Sequence, residues 1–122
     1  MKKILPLLFV VMIATKQTPA QVNVQDSRAL VDLYNSTDGP NWAQNANWLA
    51  GPVSTWHGVT IQGTRVTRLD LEQGNLNGTL PASIGDLVEL RYLNLGDNKL
   101  TGGIPSSIGN LININDILLY AN

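Results

Sequence analysis

The sequence predicts an α/β solenoid with short parallel strands on its concave face and a helical and hairpin cap at its N-terminal end. The first observation is a block of leucine, glycine and proline positions that recurs after 24 residues. The second is a tryptophan-rich segment with one short amphipathic helix before that block. The third is the length of 122 residues, which allows one domain and excludes most multidomain enzymes.

Two stretches of the chain superpose without a gap. The matched positions are Leu69, Leu71, Leu76, Gly78, Leu80, Pro81, Ile84, Gly85 and Leu87, followed by Leu93, Leu95, Leu100, Gly102, Ile104, Pro105, Ile108, Gly109 and Leu111. A fixed period of about 20 to 29 residues with this leucine pattern indicates a solenoid. The Leu-x-Leu alternation predicts short strands with one buried face. The prolines favour a return path that is extended or a short 3₁₀ turn.

An asparagine ladder is expected beside the strands. Asn98 and Asn122 follow their strands at the same offset, and a buried amide there can bond backbone groups of adjacent turns. Gly74 occupies this place in the first repeat, so the ladder should begin one turn late. The third copy reaches only Asn122. We therefore expect a fragment of a longer array, or an uncapped C-terminal edge that another copy of the chain covers by self-association.

These residues carry a resemblance to a known family. The segment Leu93-x-Leu95-x-x-Asn98-x-Leu100-x-Gly102-x-Ile104-Pro105 resembles the plant-type leucine-rich repeat of 24 residues. The preceding Asp38-Gly39-Pro40-Asn41-Trp42, Asn47-Trp48 and Trp56-His57-Gly58-Val59 resemble the N-terminal cap of the same proteins. Ser54 and Ile61 stand where plant caps usually carry cysteines, which is similar to the cysteine-free version in bacterial and algal surface proteins. The resemblance implies a right-handed leucine-rich-repeat solenoid that serves as an exported, non-catalytic module in receptors or adhesins.

The cap is expected to close one end of the solenoid. Asp26 is placed as the N-cap of a helix that runs to about Asn35 and has one apolar face. The three tryptophans are expected to cover the open end of the core, with a sugar-binding aromatic platform as the alternative; they are Trp42, Trp48 and Trp56. Residues 59–61 and 66–71, joined by a turn, predict an antiparallel hairpin that covers the sheet edge.

The first twenty residues predict an export signal. Lys2 and Lys3 precede an uncharged run over residues 4–14, and small residues lead to a cleavage site after Ala20. The run is shorter than the roughly 20 residues that span a bilayer. We therefore expect a signal peptide (1–20), a cap (21–64) and leucine-rich repeats (65–122), secreted or at the cell surface, without stable membrane insertion after cleavage. An uncleaved anchor is the alternative.

Composition excludes several classes of site. There is no cysteine and a single histidine, His57, so the chain cannot build a disulfide, a thiolate nucleophile or a metal site of several imidazoles. After cleavage, five basic residues would face nine acidic ones, a net charge of −4. No basic stripe is present, so we expect no nucleic-acid partner, and also no cofactor. Asp70 and Glu72 could form a paired-carboxylate hydrolase site. One strand face is a poor place to exclude water, so we expect no enzyme.

The concave face is the predicted contact surface for a protein, peptide or glycan ligand. Its outward positions are Arg68, Asp70, Glu72, Gln73, Tyr92, Asn94, Asp97, Asp116 and Tyr120. Tyr92 should lie between Arg68 and Asp116 in one lateral row. Tyrosine and arginine among polar residues are typical of protein-binding surfaces, and the acid excess favours a basic or hydroxyl-rich partner. The alternatives are merely solvated strand residues, or a structural cap of a longer protein whose ligand site or kinase domain lies downstream.

Overall fold

The computed structural model describes residues 21–122, so the expected signal peptide at 1–20 lies outside the described residues. One helix, α1 (Val24–Ser36), comes first. The strands are β1 (Val59–Gln62), β2 (Arg65–Asp70), β3 (Asn77–Thr79), β4 (Tyr92–Asn94), β5 (Lys99–Thr101) and β6 (Asp116–Leu118). Short 3₁₀ turns occupy Gly39–Asn41, Val53–Thr55, Ala82–Asp86 and Ser106–Asn110. The last two lie on the return paths after Pro81 and Pro105, as the sequence predicts.

The main sheet has the strand order β1-β2-β4-β6. Strands β2, β4 and β6 pair in parallel, and Leu69 lies beside Leu93, which lies beside Ile117. The paired residues are 24 positions apart because each turn of the coil returns the chain to the same height. Strand β1 pairs antiparallel with β2 and covers its free edge, which confirms the predicted hairpin. The parallel stack confirms the predicted solenoid.

The hydrophobic core runs through the coil behind the main sheet. Leu69, Leu71, Leu93 and Leu95 are buried, and Leu119 packs against them half-buried. The alternation of strand side chains sends these leucines inward and their neighbours to the opposite face. A second parallel pair, β3 with β5, forms where the chain turns away from the main sheet. The core therefore positions the outward side chains at a regular spacing.

Asn98 joins adjacent turns through its side chain. Its Nδ2 donates to the carbonyl oxygens of Leu71 and Leu95, both at 3.0 Å, and its Oδ1 accepts from the N–H of Gly74 at 2.9 Å. The same Oδ1 also accepts from the Leu76 N–H at 3.0 Å. These bonds satisfy buried backbone groups where the chain bends and no strand partner exists. Asn122 repeats the arrangement with the carbonyl oxygens of Leu95, Leu119 and Tyr120.

The prediction that Asp26 caps α1 is wrong. Asn23 is the N-cap, and its Oδ1 accepts from the Gln25 N–H at 2.8 Å. Asp26 lies inside the first turn and is fully buried, where it accepts two hydrogen bonds from Arg65 at 2.8 and 2.9 Å and one from the Val66 N–H. The carboxylate raises the pKa of Arg65 through these hydrogen bonds, against the opposing effect of burial.

The three tryptophans belong to the core. Trp42, Trp48 and Trp56 are each 5–6% exposed, and neighbouring rings in this series lie 4.8 and 4.9 Å apart between centroids. Each indole N–H donates to a backbone carbonyl oxygen, as expected when an indole is buried. The three rings belong to the same hydrophobic cluster as the leucines of the coil. A sugar platform needs exposed ring faces, so that alternative is wrong.

Candidate functional site on the concave face

Side chains on the concave face form lateral rows that cross the strands. Arg68 lies beside Tyr92, and Tyr92 beside Asp116, as expected. The next row holds Asp70, Asn94 and Leu118. Each row lies on the face opposite the buried leucines, because successive strand residues point to opposite sides. Parallel strands stand about 4.8 Å apart, so members of a row are close neighbours.

Arg68 is held in place by two neighbours. Its guanidinium carbon lies 3.7 Å from the centroid of the Tyr92 ring, within the range of a cation–π contact. Its Nη2 lies 3.3 Å from Oδ2 of Asp70. The planar, delocalised charge of arginine suits both contacts. The face therefore presents a cation that is already compensated by its own chain, with the ring of Tyr92 beneath it.

Asn94 differs from the sequence-based expectation, which placed it among the contact residues. Only 3% of Asn94 is exposed. Its Oδ1 accepts from the Gly96 N–H at 3.0 Å, and its Nδ2 donates to the Tyr92 hydroxyl at 3.4 Å. Both polar atoms of the amide are bonded within the chain, one to the turn after β4 and one to the neighbouring tyrosine. Asn94 is therefore buried beneath the exposed side chains and is not accessible to a partner.

Tyr120 and Glu72 meet across a glycine. The Tyr120 hydroxyl donates to Oε1 of Glu72, although the two residues are 48 positions apart. A Cβ atom on Gly96, which lies between them, would come within 2.6 Å of the Tyr120 ring. The ring therefore lies across Gly96 and still keeps 47% of its surface exposed. The sequence analysis missed this contact. The signal that could have revealed it is the tyrosine one repeat after Gly96, where a missing side chain leaves room for the ring.

The turn after each strand has the same backbone conformation. Gln73, Asp97 and Ala121 all have a positive φ, at 54°, 53° and 53°. The Gln73 side chain donates to Oδ2 of Asp97 at 3.5 Å, a long contact at the exposed rim. Non-glycine residues rarely adopt this left-handed conformation, and aspartate tolerates it better than glutamine or alanine. The turns thus set the position of Asp97 at the edge of the concave face.

The concave face is strongly acidic. Four carboxylates, from Asp70, Glu72, Asp97 and Asp116, stand against the single guanidinium of Arg68. Over residues 21–122 the ion pairs within 4.0 Å are Asp26–Arg65 and Arg68–Asp70. Three carboxylates of this face therefore have no ion-pair partner in the described part of the chain.

Asp70 and Glu72 do not form an isolated carboxylate pair. Asp70 contacts Arg68, and Glu72 accepts from Tyr120. Among residues 21–122, no group of three or more histidine, aspartate or glutamate side chains is arranged to hold a metal ion. No helix in the same range combines the length and the apolar character needed to cross a membrane. The side chains that this face offers for binding are aromatic rings, carboxylates and one arginine whose charge is compensated by Asp70.

Comparison with known proteins gives the same picture. The Leucine Rich Repeat family profile matches residues 89–111. The chain is 30% identical over 90 residues to the leucine-rich repeat protein FLOR 1 of Arabidopsis thaliana, a match that covers 74% of this chain and 28% of that protein.

Solved structures show the same architecture. The BIR2 ectodomain of Arabidopsis thaliana superposes with a TM-score of 0.71 and 27% identity, covering 84% of this chain and 57% of that one. The ectodomain of the receptor kinase GASSHO1/SCHENGEN3 from the same plant, solved in complex with CASPARIAN STRIP INTEGRITY FACTOR 2, superposes with a TM-score of 0.70 and 27% identity. That match covers 80% of this chain and 12% of the receptor. The chain spans just over a quarter of FLOR 1 and has the leucine-rich-repeat solenoid fold of plant receptor ectodomains.

Proposed function

We propose that this chain is an exported, non-catalytic recognition module that binds a protein or peptide partner on its concave face. The observation that carries the proposal is the row Arg68–Tyr92–Asp116, in which contacts within the chain hold the arginine against the tyrosine ring. Ordered aromatic and arginine side chains lose little conformational entropy on binding, and such residues are common anchors of protein interfaces. Glycans remain a further ligand class that the same open face could accept.

The likeness to receptor ectodomains supports this proposal. The GASSHO1/SCHENGEN3 ectodomain was solved with a bound factor, and its fold matches most of this chain. By the same likeness we propose a location outside the cell or at its surface, with residues 1–20 as the signal peptide, 21–64 as the cap and 65–122 as repeats of the plant-type, 24-residue class. The cap would be of the cysteine-free kind, since residues 21–122 hold no cysteine.

The footprint of the chain alone is small. A standard interface buries about 800 Å² on each partner, and the described sheet offers only short strands. We therefore expect binding by the isolated chain to be weak, with a dissociation constant in the micromolar range or above. A titration that gave tight one-to-one binding would contradict this part of the proposal.

Selection from a random peptide display library against the full chain tests the function. We expect the selected peptides to lose about tenfold or more in affinity for Tyr92→Ala, because truncation of an interface tyrosine costs more than about 1 kcal/mol at a contact centre. The matched control is Ile112→Ala, which truncates an apolar side chain that is 82% exposed and outside the concave face. Binders that tolerate Tyr92→Ala and Tyr120→Ala would overturn the proposal, as would a selection without binders.

A structural role is the second candidate. The buried tryptophans and the Asp26–Arg65 pair support it, because they join residues before the first repeat to the core and to β2. In this alternative, residues 26–122 nucleate a longer array, and ligand contact lies in downstream sequence. The library selection separates the two functions, since a purely structural cap yields no peptide whose binding depends on Tyr92.

A further inference from the structure

The concave face holds two tyrosines in similar surroundings. The ring of Tyr92 is covered by the guanidinium of Arg68, which in turn contacts the carboxylate of Asp70. Tyr120 also has a carboxylate nearby, Glu72, which accepts from its hydroxyl. In the first case a cation of the same chain lies on the ring. For Tyr120, the position 24 residues earlier, which corresponds to Arg68, is Gly96, and glycine has no side chain to place on the ring.

Two acidic residues contact Tyr120, one through its side chain and one through its backbone. Glu72 accepts from the Tyr120 hydroxyl, and the Asp97 N–H donates to the Tyr120 carbonyl oxygen at 2.9 Å, while the Asp97 carboxylate lies at the rim and accepts from the Gln73 side chain at 3.5 Å. Within residues 21–122, neither carboxylate has a lysine, arginine or histidine nitrogen within 4.0 Å. One side of the Tyr120 ring rests on Gly96, and 47% of the residue is exposed. A half-exposed aromatic ring on a surface with uncompensated carboxylates attracts a cation.

We propose that Tyr120, Glu72 and Asp97 form a binding site for an arginine side chain of an extended peptide partner. This site, called the Tyr120 site below, rests on the proposed function and specifies the chemistry of the partner. The guanidinium stacks on the free side of the ring, and its N–H groups donate to the carboxylates. The Arg68–Tyr92–Asp70 contact is a comparable arrangement, in which an arginine of the chain itself lies on a tyrosine ring and contacts a carboxylate. Arginine suits both halves of the site because it stacks on aromatic rings and donates in a planar fork.

Two short peptides test the charge requirement. The probes are acetyl-Gly-Ser-Arg-Ser-Gly-amide and the same peptide with citrulline, which keeps the shape of the arginine side chain and removes its charge. Each is titrated to millimolar concentration into the ¹⁵N-labelled full chain at low ionic strength. We expect the arginine peptide to shift the backbone amides of Gly96, Asp97 and Tyr120. The citrulline peptide should bind about threefold or more weakly, because an exposed cation–π contact and an exposed ion pair each contribute modestly.

Four variants locate the site. Tyr120→Leu removes the ring, and Glu72→Gln removes one carboxylate, so both should weaken the arginine peptide about threefold. Asp32→Asn is the matched control, because it removes the same charge from an exposed position on α1 and should leave the affinity unchanged. Arg68→Ala uncovers Tyr92, so we expect a second set of shifted amides around Tyr92 and Asn94. The ¹⁵N spectrum of each variant reports whether its fold is intact.

Each outcome is decisive. Equal binding of the two peptides at the Tyr120 site overturns the charge requirement and leaves peptide recognition standing. Equal losses in Asp32→Asn and Glu72→Gln overturn the site, since they show attraction to net charge alone. The absence of shifts around Tyr120, or shifts that survive Tyr120→Leu, overturns it as well. The library selection tests the recognition function independently, so failure of the arginine site and failure of the function give different results.

Discussion

Asp26 and Arg65 form a two-point ion pair that ties α1 to the start of β2 across 39 residues of sequence. The carboxylate has no exposed surface, whereas the guanidinium side chain is 24% exposed. The Val66 N–H completes the coordination of Asp26. A charge buried this deeply is tolerated only with such partners, so the pair fixes how the cap helix meets the first repeat.

Arg65→Ala should therefore destabilise the fold strongly. The substitution leaves a buried carboxylate with one backbone donor, and loss of one partner of a buried pair costs about 3–5 kcal/mol. The double variant Asp26→Ala/Arg65→Ala should be less destabilised than Arg65→Ala. Urea unfolding measures both, with Arg28→Ala, an exposed position on α1, as the control. The prediction is wrong if Arg65→Ala is as mild as Arg28→Ala, which should stay within about 0.5 kcal/mol of the parent.

The same pair should resist alkaline conditions. Asp26 raises the pKa of Arg65, so the contribution of this arginine to stability is complete at any pH below the pKa of an arginine in the unfolded chain. It is lost only as the pH rises through the still higher folded value. We expect the difference in unfolding free energy between the parent and Arg65→Ala to be the same at pH 8 and pH 10. A difference that shrinks over this interval would show that the pair is not maintained.

The asparagine ladder gives a matched pair of substitutions. Asn98→Ala should cost about 3 kcal/mol or more, because several buried backbone groups lose their partner at once. Asn122→Ala removes the same type of contacts from an exposed residue and should cost about 1 kcal/mol or less. Denaturant unfolding gives the free energies, and hydrogen exchange at the Gly74 and Leu76 amides reports the local loss. Similar costs for the two variants would contradict a role that depends on burial.

The left-handed turns predict a stabilising substitution. Gln73 has a φ of 54°, a conformation that disfavours residues with a Cβ by about 1–2 kcal/mol. Gln73→Gly relieves this strain but adds chain entropy to the unfolded state, so we expect a net gain of about 0.5 kcal/mol. Gln62→Gly, placed in β1, should instead lower stability by about 0.5–1 kcal/mol. Thermal unfolding of the two variants compares the signs, and a loss for Gln73→Gly would refute the strain.

Gly96→Ala should displace Tyr120 without unfolding the chain. The added Cβ would meet the ring at 2.6 Å, and a half-exposed side chain can rotate away. We expect a stability change below about 1 kcal/mol. The ring signals of Tyr120 should shift in the ¹H spectrum, and the contact with Glu72 should disappear. Gly103→Ala is the control, since no atom lies within 4 Å of its added Cβ. Unchanged Tyr120 signals in Gly96→Ala would contradict the described packing.

The sequence predicts the parts of the fold that repeat. The strands at Leu69 and Leu93, the return turns after Pro81 and Pro105 and the ladder at Asn98 follow from matched positions at one offset. The hairpin before the first repeat follows from local alternation and a turn. These features are predictable because neighbouring turns impose the same requirement on equivalent residues.

Features that depend on contacts between non-equivalent positions could not be predicted from the sequence. Aspartate is a common N-cap residue, so the sequence favours that role for Asp26. Only the fold shows that Arg65 lies next to it. The alternation of side chains along β4 predicts that Asn94 is exposed, yet its amide forms hydrogen bonds with Gly96 and Tyr92. The Tyr120–Glu72 contact requires the register of β6 relative to β2, together with the missing side chain at Gly96. Local pattern fixes none of these distances.

The separation between the leucine spine and the outward rows has an evolutionary consequence. Replacing Arg68, Tyr92 or Asp116 alters what the molecule displays, while Leu69 and Leu93 keep the backbone in place behind them. If the proposed function is correct, residues that contact a partner and residues that maintain the fold can therefore change independently along a single strand. A lineage can exchange one displayed chemistry for another by single codon changes and retain an intact scaffold throughout.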